Sequence, residues 1–505
     1  MSERGELALV LHSHMPYVEG FGTWPFGEEW LWEAMATSYL PLLELLEAGA
    51  PLTLSLTPVL ADQLEAAGVG ERFTAFLRDI RRETHARDVA GLREGGETVL
   101  ADEVARAAGD YERADERFAA MGADMLGGLL PHAAWTSSAT HAVLPLLATD
   151  AGARLQVATG IDAHRRRGAP WRGGFWLPEC GHASWLEPLL LEAGVRASCV
   201  DLTDVLGPGA PAHLRPLRTP AGLLLVPIDR ATIDLVWSEA GYPAHGAYRD
   251  YHHHTVHDHR PWANDGSPYD HEAALRLTRM HAADFVKRVR ARVADGGLCV
   301  CALDTELLGH WWYEGIAWLG AVLDEAARRG LAIVHLDDAL ERSDPIEQAA
   351  ALRSRGAGWE TGAARASGAV RETGAARASG AVRGGGAGGA SGSVDLPVTS
   401  WGTRRDLSTW DGPAVADLAW RARAAELRVV ARGAEASPRA LRELLALQAS
   451  DWAFMVSVGL AGPYPRERAD GHASALDGAL ALDSAPLAAL RNLAPHLRPA
   501  TLLVP

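Results

Sequence analysis

Short apolar segments alternate with helix-like stretches along most of the first 350 residues, and this alternation restricts the chain to a small set of folds. Each segment is bounded by Gly, Pro or polar residues, as buried strands usually are. The apolar segments are 7–11, 52–56, 173–177, 196–200, 223–228, 298–303 and 332–336. Strands that alternate with helices predict a parallel sheet, either open or closed into a barrel.

Three further regions depart from this alternation. In residues 61–130, Arg, Glu and Ala recur at helical spacing, which predicts a charged helical insertion inside a catalytic unit of residues 1–350. Residues 351–394 consist mainly of Gly, Ala, Arg and Ser and contain ETGAARASGAVR twice in tandem, which predicts a flexible linker. Residues 395–505 are rich in Leu and Ala at helical spacing and predict a C-terminal helical domain.

Charge and composition narrow the class of partner. The net charge is −16 without a long basic run, which argues against nucleic acid as a ligand. The N-terminal apolar run is too short and too interrupted by His to be a signal peptide or a membrane span. The four Cys lack metal-type spacing, so we expect reduced thiols and a cytoplasmic protein. Seventeen Trp against eight Phe favour a sugar ligand, because flat amphipathic rings suit sugars.

Polar side chains follow three of the predicted strands at the points where the strands end. The first strand runs into His12 and His14, another into Glu179, and a third into Asp304. In parallel α/β folds such positions meet at one edge of the sheet, where functional residues gather. Two carboxylates facing each other there suit acid/base or nucleophilic chemistry on an acetal.

Other interpretations of these residues remain open at this stage. Either acid could instead cap a helix or form a salt bridge. His12 and His14 could hold zinc together with Asp304 or His141, as in metal-dependent hydrolases and deacetylases. The His-rich segment 251–259 matches no compact site, and we expect it to be a solvated loop.

Five stretches resemble glycoside hydrolase family 57 and span nearly the whole chain in the family's order. They are LVLHSHMPYV with WPFGEEWLWEA, SSATHAVLPLL, GFWLPECGH, LDTELLGHWWYEG, and SWG with SDWAFM. The resemblance implies an α/β fold, a distorted (β/α)7 barrel with an inserted helical subdomain and a C-terminal α-helical domain. It implies neither a cofactor nor a metal.

The resemblance also implies a reaction. Glu179 would be the nucleophile and Asp304 the proton donor of a retaining double displacement on an α-1,4-glucan. Within the family the chain is similar to members that transfer the cleaved glucan to a 6-hydroxyl and so form an α-1,6 branch. A 4-α-glucanotransferase or α-amylase activity is the alternative. Donor and acceptor would both be α-1,4-glucan chains.

Further site residues follow from the same resemblance. Tyr242 matches a loop tyrosine linked to transfer, and its Gly-Tyr-Pro setting predicts an exposed loop. The stretch LPVTSWGTRRDLSTW departs from the family's usual pattern around Trp401, so contacts there are expected to differ. The implied substrate-binding residues are His12, His14, His141, Arg260, Gly266, Trp311, Trp401, Trp410 and Asp451.

Overall fold

A computed structural model describes residues 5–23, 25–352, 396–481 and 492–503. Nearly all of the predicted linker, residues 353–394, lies outside the described residues. In the described part of the chain, no helix combines the length and the apolar character needed to cross a membrane.

The strands lie mostly in the first 350 residues. They are β1 (Glu6–Ser13), β2 (Thr53–Leu56), β3 (Ala133–Ser137), β4 (Phe175–Trp176), β5 (Ala197–Val200), β6 (Leu217–Arg218), β7 (Leu224–Pro227), β8 (Leu298–Asp304), β9 (Ala332–Ile333) and β10 (Ile346–Glu347). Each predicted apolar segment overlaps one of them. β3 was missed because its sequence, AAWTS, contains small and hydroxyl residues instead of an apolar run.

Seven parallel strands form a curled barrel. Five lie in the order β4-β3-β2-β1-β8. β5 joins β4 through the bridge between Gly174 and Ala197, and β7 pairs with β5 in parallel. Just after β7, the Asp229 N–H donates to the Val300 carbonyl of β8 at 2.8 Å, which closes the circle. β1 and β8 are almost entirely buried, as expected for parallel strands covered on both faces.

Helices connect and cover these strands. They are α1 (Glu28–Ala34), α2 (Leu40–Glu47), α3 (Pro58–Leu64), α4 (Val69–Ala75), α5 (Arg82–Glu94), α6 (Thr98–Ala120), α7 (Met125–Leu129), α8 (Asp150–Arg166), α9 (Glu187–Glu192), α10 (Thr203–Leu206), α11 (Arg230–Ile233), α12 (His271–Arg292), α13 (Gly315–Arg329) and α14 (Leu336–Arg342). π-helical turns join α1 to α2 and α4 to α5. Between β2 and β3 the chain is helical, and α5 packs against α6.

The C-terminal region is mainly helical in its described part, from Ser408 onward. Its helices are α15 (Ser408–Asp411), α16 (Ala416–Arg432), α17 (Pro438–Leu447), α18 (Ser450–Val458) and α19 (Tyr464–Ala481). They have their own apolar core, centred on α17 and including Leu441, Leu444 and Leu445. The predicted fold class, a distorted (β/α)7 barrel with a helical insertion and a C-terminal helical region, is confirmed.

The C-terminal helices are attached to the barrel by polar contacts. The buried Glu426 carboxylate accepts hydrogen bonds from the backbone N–H groups of Ala148 and Thr149, at 3.0 and 2.8 Å, at the start of α8. An anion at a helix N-terminus is favourable because the helix dipole and free N–H groups both stabilise it. Antiparallel bridges pair Ala142 with Ala449 and His182 with Thr399. These contacts bring α18 and the segment around residue 400 to the strand ends.

Candidate active site

Strand register places three polar side chains in one row at the carboxyl ends of β2, β1 and β8. His12 is paired with Ser55 on one side and with Asp304 on the other. Side chains paired in this way project to the same face of the sheet. His12 and Asp304, predicted from separate stretches, are therefore direct neighbours.

Glu179 follows β4 in a sharp turn. Its φ is 60° and that of Cys180 is 50°, both in the left-handed region that non-Gly residues seldom occupy. Such residues cost about 1–3 kcal/mol each and persist only where the surroundings fix them. Here the Cys180 N–H donates to the Leu177 carbonyl at 2.8 Å, and the Trp401 N–H donates to the Glu179 carbonyl at 2.9 Å. The turn holds the Glu179 carboxylate at the strand ends.

Two side chains from the C-terminal region donate hydrogen bonds to this carboxylate. The Trp401 indole N–H lies 2.9 Å from Glu179 Oε2, and the Ser450 hydroxyl is the second donor. Burial raises the pKa of Glu179, and Trp401 and Ser450 oppose this by stabilising the ionised form, so the net shift is upward but smaller than burial alone would produce. The side chain keeps 13% exposure, so a substrate can reach it.

A chain of hydrogen bonds leads from β2 through two histidines to Glu179. His12 Nδ1 lies 3.1 Å from Ser55 Oγ, and His12 Nε2 lies 2.9 Å from His141 Nε2. His141 Nδ1 lies 2.9 Å from Ser450 Oγ. Burial, with His14 nearby, holds the pKa of His12 and His141 well below the ordinary value, so both rings are neutral.

One set of tautomers satisfies every link of this chain. Ser55 donates to His12 Nδ1, His12 Nε2–H donates to His141, and His141 Nδ1–H donates to Ser450. The Ser450 hydroxyl is then left to donate to Glu179. Hydrogen bonds that run in one direction polarise one another, so the chain strengthens the final bond to the Glu179 carboxylate.

His14 is paired with an acid from the C-terminal region. Its Nε2 lies 2.8 Å from Asp451 Oδ1, and both side chains are about one-eighth exposed. Burial lowers the pKa of His14, but Asp451, with smaller contributions from Glu306 and Glu179, raises it further, so the net shift is upward. His14 is therefore the ring of the cluster best able to carry a proton.

Asp304 lies in surroundings that favour its neutral form. Burial, then the charges of Glu306 and Glu179, raise its pKa well above the ordinary value. Glu306 accepts a hydrogen bond from the Tyr39 hydroxyl, and burial raises its own pKa to about 7. One carboxyl is thus stabilised as an anion by two donors, and the other is kept protonated by desolvation and neighbouring charge. This difference is what a nucleophile and a general acid require.

The zinc interpretation does not suit this arrangement. The rings of His12, His14 and His141 are stacked, with interplanar angles of 17–28°. Their six nitrogens all contact protein side chains, including His14 Nδ1, which lies 3.4 Å from Thr57. Metal binding needs free nitrogen lone pairs directed at one point. Within the described residues, no group of three His, Cys, Asp or Glu side chains has an arrangement able to hold a metal ion.

Comparisons with known proteins identify the family of this chain. The description "Glycosyl hydrolase family 57" matches residues 134–349, and "1,4-alpha-glucan branching enzyme, C-terminal" matches residues 417–483. A probable 1,4-alpha-glucan branching enzyme of Mycobacterium tuberculosis is 31% identical over 94% of this chain and 92% of its own length. The chain belongs to glycosyl hydrolase family 57.

Solved family 57 structures share the whole architecture. The branching enzyme of Thermococcus kodakaraensis, solved with glucose and additives, has a TM-score of 0.80 at 26% identity, covering 99% of this chain and 96% of that one. The branching enzyme of Pyrococcus horikoshii has a TM-score of 0.77 at 28% identity, covering 93% and 88%. The resemblance stated from the five sequence stretches is confirmed.

Two of the predicted substrate-binding residues lie together in a neighbouring cleft of this family 57 chain. Trp311 is 41% exposed, and its ring lies 4.6 Å from that of Tyr251. The Arg260 guanidinium lies 4.4 Å from the centre of the same Tyr251 ring and pairs with Asp258. The cleft is lined also by Glu33 and His310, between the helical insertion and the loop that follows residue 249.

Gly266 and Trp410 lie outside the cluster around Glu179. Gly266 has a φ of +82° and closes a turn by donating its N–H to the Ala263 carbonyl. Trp410 is 2% exposed, and its ring lies so close to Gly402 that a Cβ there would be 3.1 Å away. The buried Trp410 ring therefore packs against the backbone at Gly402, next to Trp401.

The expectation that Tyr242 lies in an exposed loop is wrong. Tyr242 is half-buried in a short 3-10 turn, its ring stacks on His281 at 4.5 Å, and its hydroxyl donates to Asp284 at 2.9 Å. Both partners belong to α12, so the ring is anchored on the outer helix and is not brought to Glu179 and Asp304. Local sequence could not show this anchoring, because the partners lie about forty positions further along the chain.

The His-rich segment is only partly solvated. His252, His253 and His254 are exposed as expected, but His259 is buried with its ring 3.8 Å from that of His85 on α5. The Asp88 carboxylate of α5 lies 2.6 Å from His257. The second half of the segment packs against the helical insertion because this helix supplies both partners.

Some contacts of the site were missed. Ser450 and Trp176 carry no motif of their own, yet Ser450 joins His141 to Glu179, and Trp176 stacks on His12 at 4.6 Å. The adjacent SDWAFM and GFWLPECGH stretches were the available signal, since each places one of these residues next to a predicted one.

Charge at residue 306 is expected to set the alkaline limit of activity. Glu306→Gln removes one of the charges that raise the pKa of Asp304, so that pKa falls and Asp304 loses its proton at lower pH. The alkaline limb of the kcat/KM profile should move to lower pH. Glu306→Asp, which keeps the charge, is the control. An unmoved limb in Glu306→Gln would show that another group sets it.

Proposed function

We propose that this chain is a 1,4-α-glucan branching enzyme acting by retaining double displacement. The observation that carries the proposal is the unequal environment of the two carboxyls, Glu179 with two hydrogen-bond donors and Asp304 with two neighbouring acids. The named activity of the relatives and the match of residues 417–483 to the branching-enzyme C-terminal description support it.

In the first half of the reaction, Glu179 attacks the anomeric carbon while Asp304 protonates the departing glycosidic oxygen. The glycosyl group is then covalently attached to Glu179, and Asp304 is left as a carboxylate. In the second half, Asp304 takes the proton of an acceptor 6-hydroxyl, which displaces Glu179 and forms the α-1,6 bond. The Trp401 and Ser450 hydrogen bonds hold the carboxylate in place both as nucleophile and as leaving group.

The decisive experiment is incubation with amylose, followed by proton NMR for α-1,6 linkages and a reducing-end assay. A branching enzyme forms α-1,6 linkages with few new reducing ends. New α-1,4 chain lengths without branches would instead identify a 4-α-glucanotransferase, and reducing ends alone an α-amylase. Either result would overturn the proposal.

We also propose that the protein acts in the cytoplasm on α-1,4-glucan as both donor and acceptor. All four cysteines are free and buried, and burial raises the pKa of their thiols. Buried protonated thiols suit a reducing compartment and are poor nucleophiles.

Tyr242 is proposed to influence transfer by anchoring its segment to α12. Its N–H donates to the Leu235 carbonyl and its hydroxyl to Asp284, so both backbone and ring hold the segment in place. Tyr242→Ala should lower branching more than cleavage, because a loosened segment admits water. Tyr242→Phe, which keeps the stacking on His281, should retain most of the branching. The ratio of α-1,6 linkages to reducing ends measures the effect, and equal losses of both activities would contradict it.

A further inference from the structure

An exposed aromatic ring on the C-terminal helices has no part in the catalytic geometry. Trp420 on α16 is 66% exposed, compared with 48% for Trp185. A large ring left in water gains nothing from burial, and exposed rings of this kind often serve as binding surfaces.

The Trp420 ring is held in place by an arginine. The Arg423 guanidinium carbon lies 5.3 Å from the ring centre. Arg423 in turn donates to the Leu146 carbonyl at 2.9 Å and to the Asp411 carboxylate at 3.1 Å. The guanidinium is therefore fixed by two separate elements, and its cation–π contact orients the indole in advance of any ligand.

Two other arginines of α16 are paired with acids of α19. Arg421 pairs with Asp470, and Arg428 pairs with Asp477 at 2.6 Å. A phosphate backbone would need cations without partners of this kind. A neutral ligand rich in hydroxyl groups can instead stack on the indole and form hydrogen bonds with the neighbouring Arg423.

A short path connects this ring to the active site. Asp411 follows Trp410, the ring of Trp410 packs on Gly402, and the adjacent Trp401 binds Glu179. We propose that Trp420 and Arg423 form a secondary binding site for an α-glucan chain, occupied by a distant part of the same polymer that the active site holds. The identity of the sugar rests on the proposed function.

Two attachment points raise the effective concentration of a long polymer at the active site and do nothing for a ligand that reaches only one. Trp420→Ala should weaken retention in glycogen-containing native gels about three- to tenfold, the size expected for loss of stacking on one ring. KM for amylose should rise by a similar factor with kcat unchanged. Kinetics on short maltooligosaccharides should not change.

Trp185→Ala is the matched control, since no arginine lies over the Trp185 ring in the part of the chain that the structure describes. It should be retained like the wild type. Unaltered retention of Trp420→Ala, or an equal loss in Trp185→Ala, overturns the inference. Because retention in the gel requires binding but no turnover, the experiment tests the glucan-binding site independently of the proposed branching activity. If the wild-type protein is retained through Trp420 but forms no α-1,6 linkages, the proposed branching activity is wrong and the proposed glucan-binding site stands.

Discussion

Glu179→Gln and Asp304→Asn are each expected to lower kcat/KM on amylose by at least about a thousandfold, because each removes one obligatory group of the double displacement. A substrate with an acidic phenol as leaving group separates the two roles. Such a group departs without a proton, so Asp304→Asn should recover bond cleavage on it. Glu179→Gln should not recover, since no nucleophile remains. Recovery by Glu179→Gln alone would reverse the assignment.

Both variants should remain folded, and thermal unfolding provides the control. The pKa of each carboxyl is raised in the folded state, so folding stability falls as pH rises from the unfolded pKa through the folded one. At neutral pH each carboxyl therefore lowers folding stability, Glu179 as a buried anion and Asp304 because it must take up a proton on folding, and the neutral amide removes both costs. We expect a melting temperature equal to that of the wild type or higher. A melting temperature far below that of the wild type would show that the activity is lost because the variant misfolds.

Trp401→Phe is expected to have the second largest effect. It keeps an aromatic ring against Trp176 but removes the N–H that donates to Glu179. A hydrogen bond to a charged group contributes about 1.5–3 kcal/mol, so kcat/KM should fall about ten- to a hundredfold. The pKa of Glu179 should rise, because Trp401 lowers it, and the acid limb of the profile should move to higher pH.

Trp410→Phe is the matched control for this experiment. The Trp410 indole nitrogen has no hydrogen-bond partner among the described residues, so its loss breaks no bond to Glu179. This variant can lose stability but should leave the acid limb in place. If both variants shift the limb equally, the cause is movement of the segment around residue 400 and not loss of the hydrogen bond.

Strands with long apolar runs could be predicted from the sequence, whereas strands without such runs could not. β1 and β8 were located because both are buried on two faces and hence continuously apolar. The run 332–336 was predicted too long, since only Ala332 and Ile333 pair, while His335 already precedes α14. Local pattern cannot show where a partner strand ends.

The site was predictable to the extent that its residues end strands. Glu179, Asp304, His12 and His14 were found by that criterion. Ser450 was not found by this criterion, because its role depends on a hydrogen bond with His141, which lies 309 positions earlier in the chain. The anchoring of Tyr242 on α12 was equally hidden, since a Gly-Tyr-Pro stretch is compatible with both an exposed and a packed ring.

The pairing of His14 with Asp451 has a consequence for synthesis of the chain. The two residues are 437 positions apart, and the donors to Glu179 also come from beyond residue 400. During synthesis, a barrel that folds before residues 401–451 have emerged has its two acids but neither donor to Glu179. We expect such a chain to cleave glucan only weakly, and full activity to arise once this segment has docked on the strand ends.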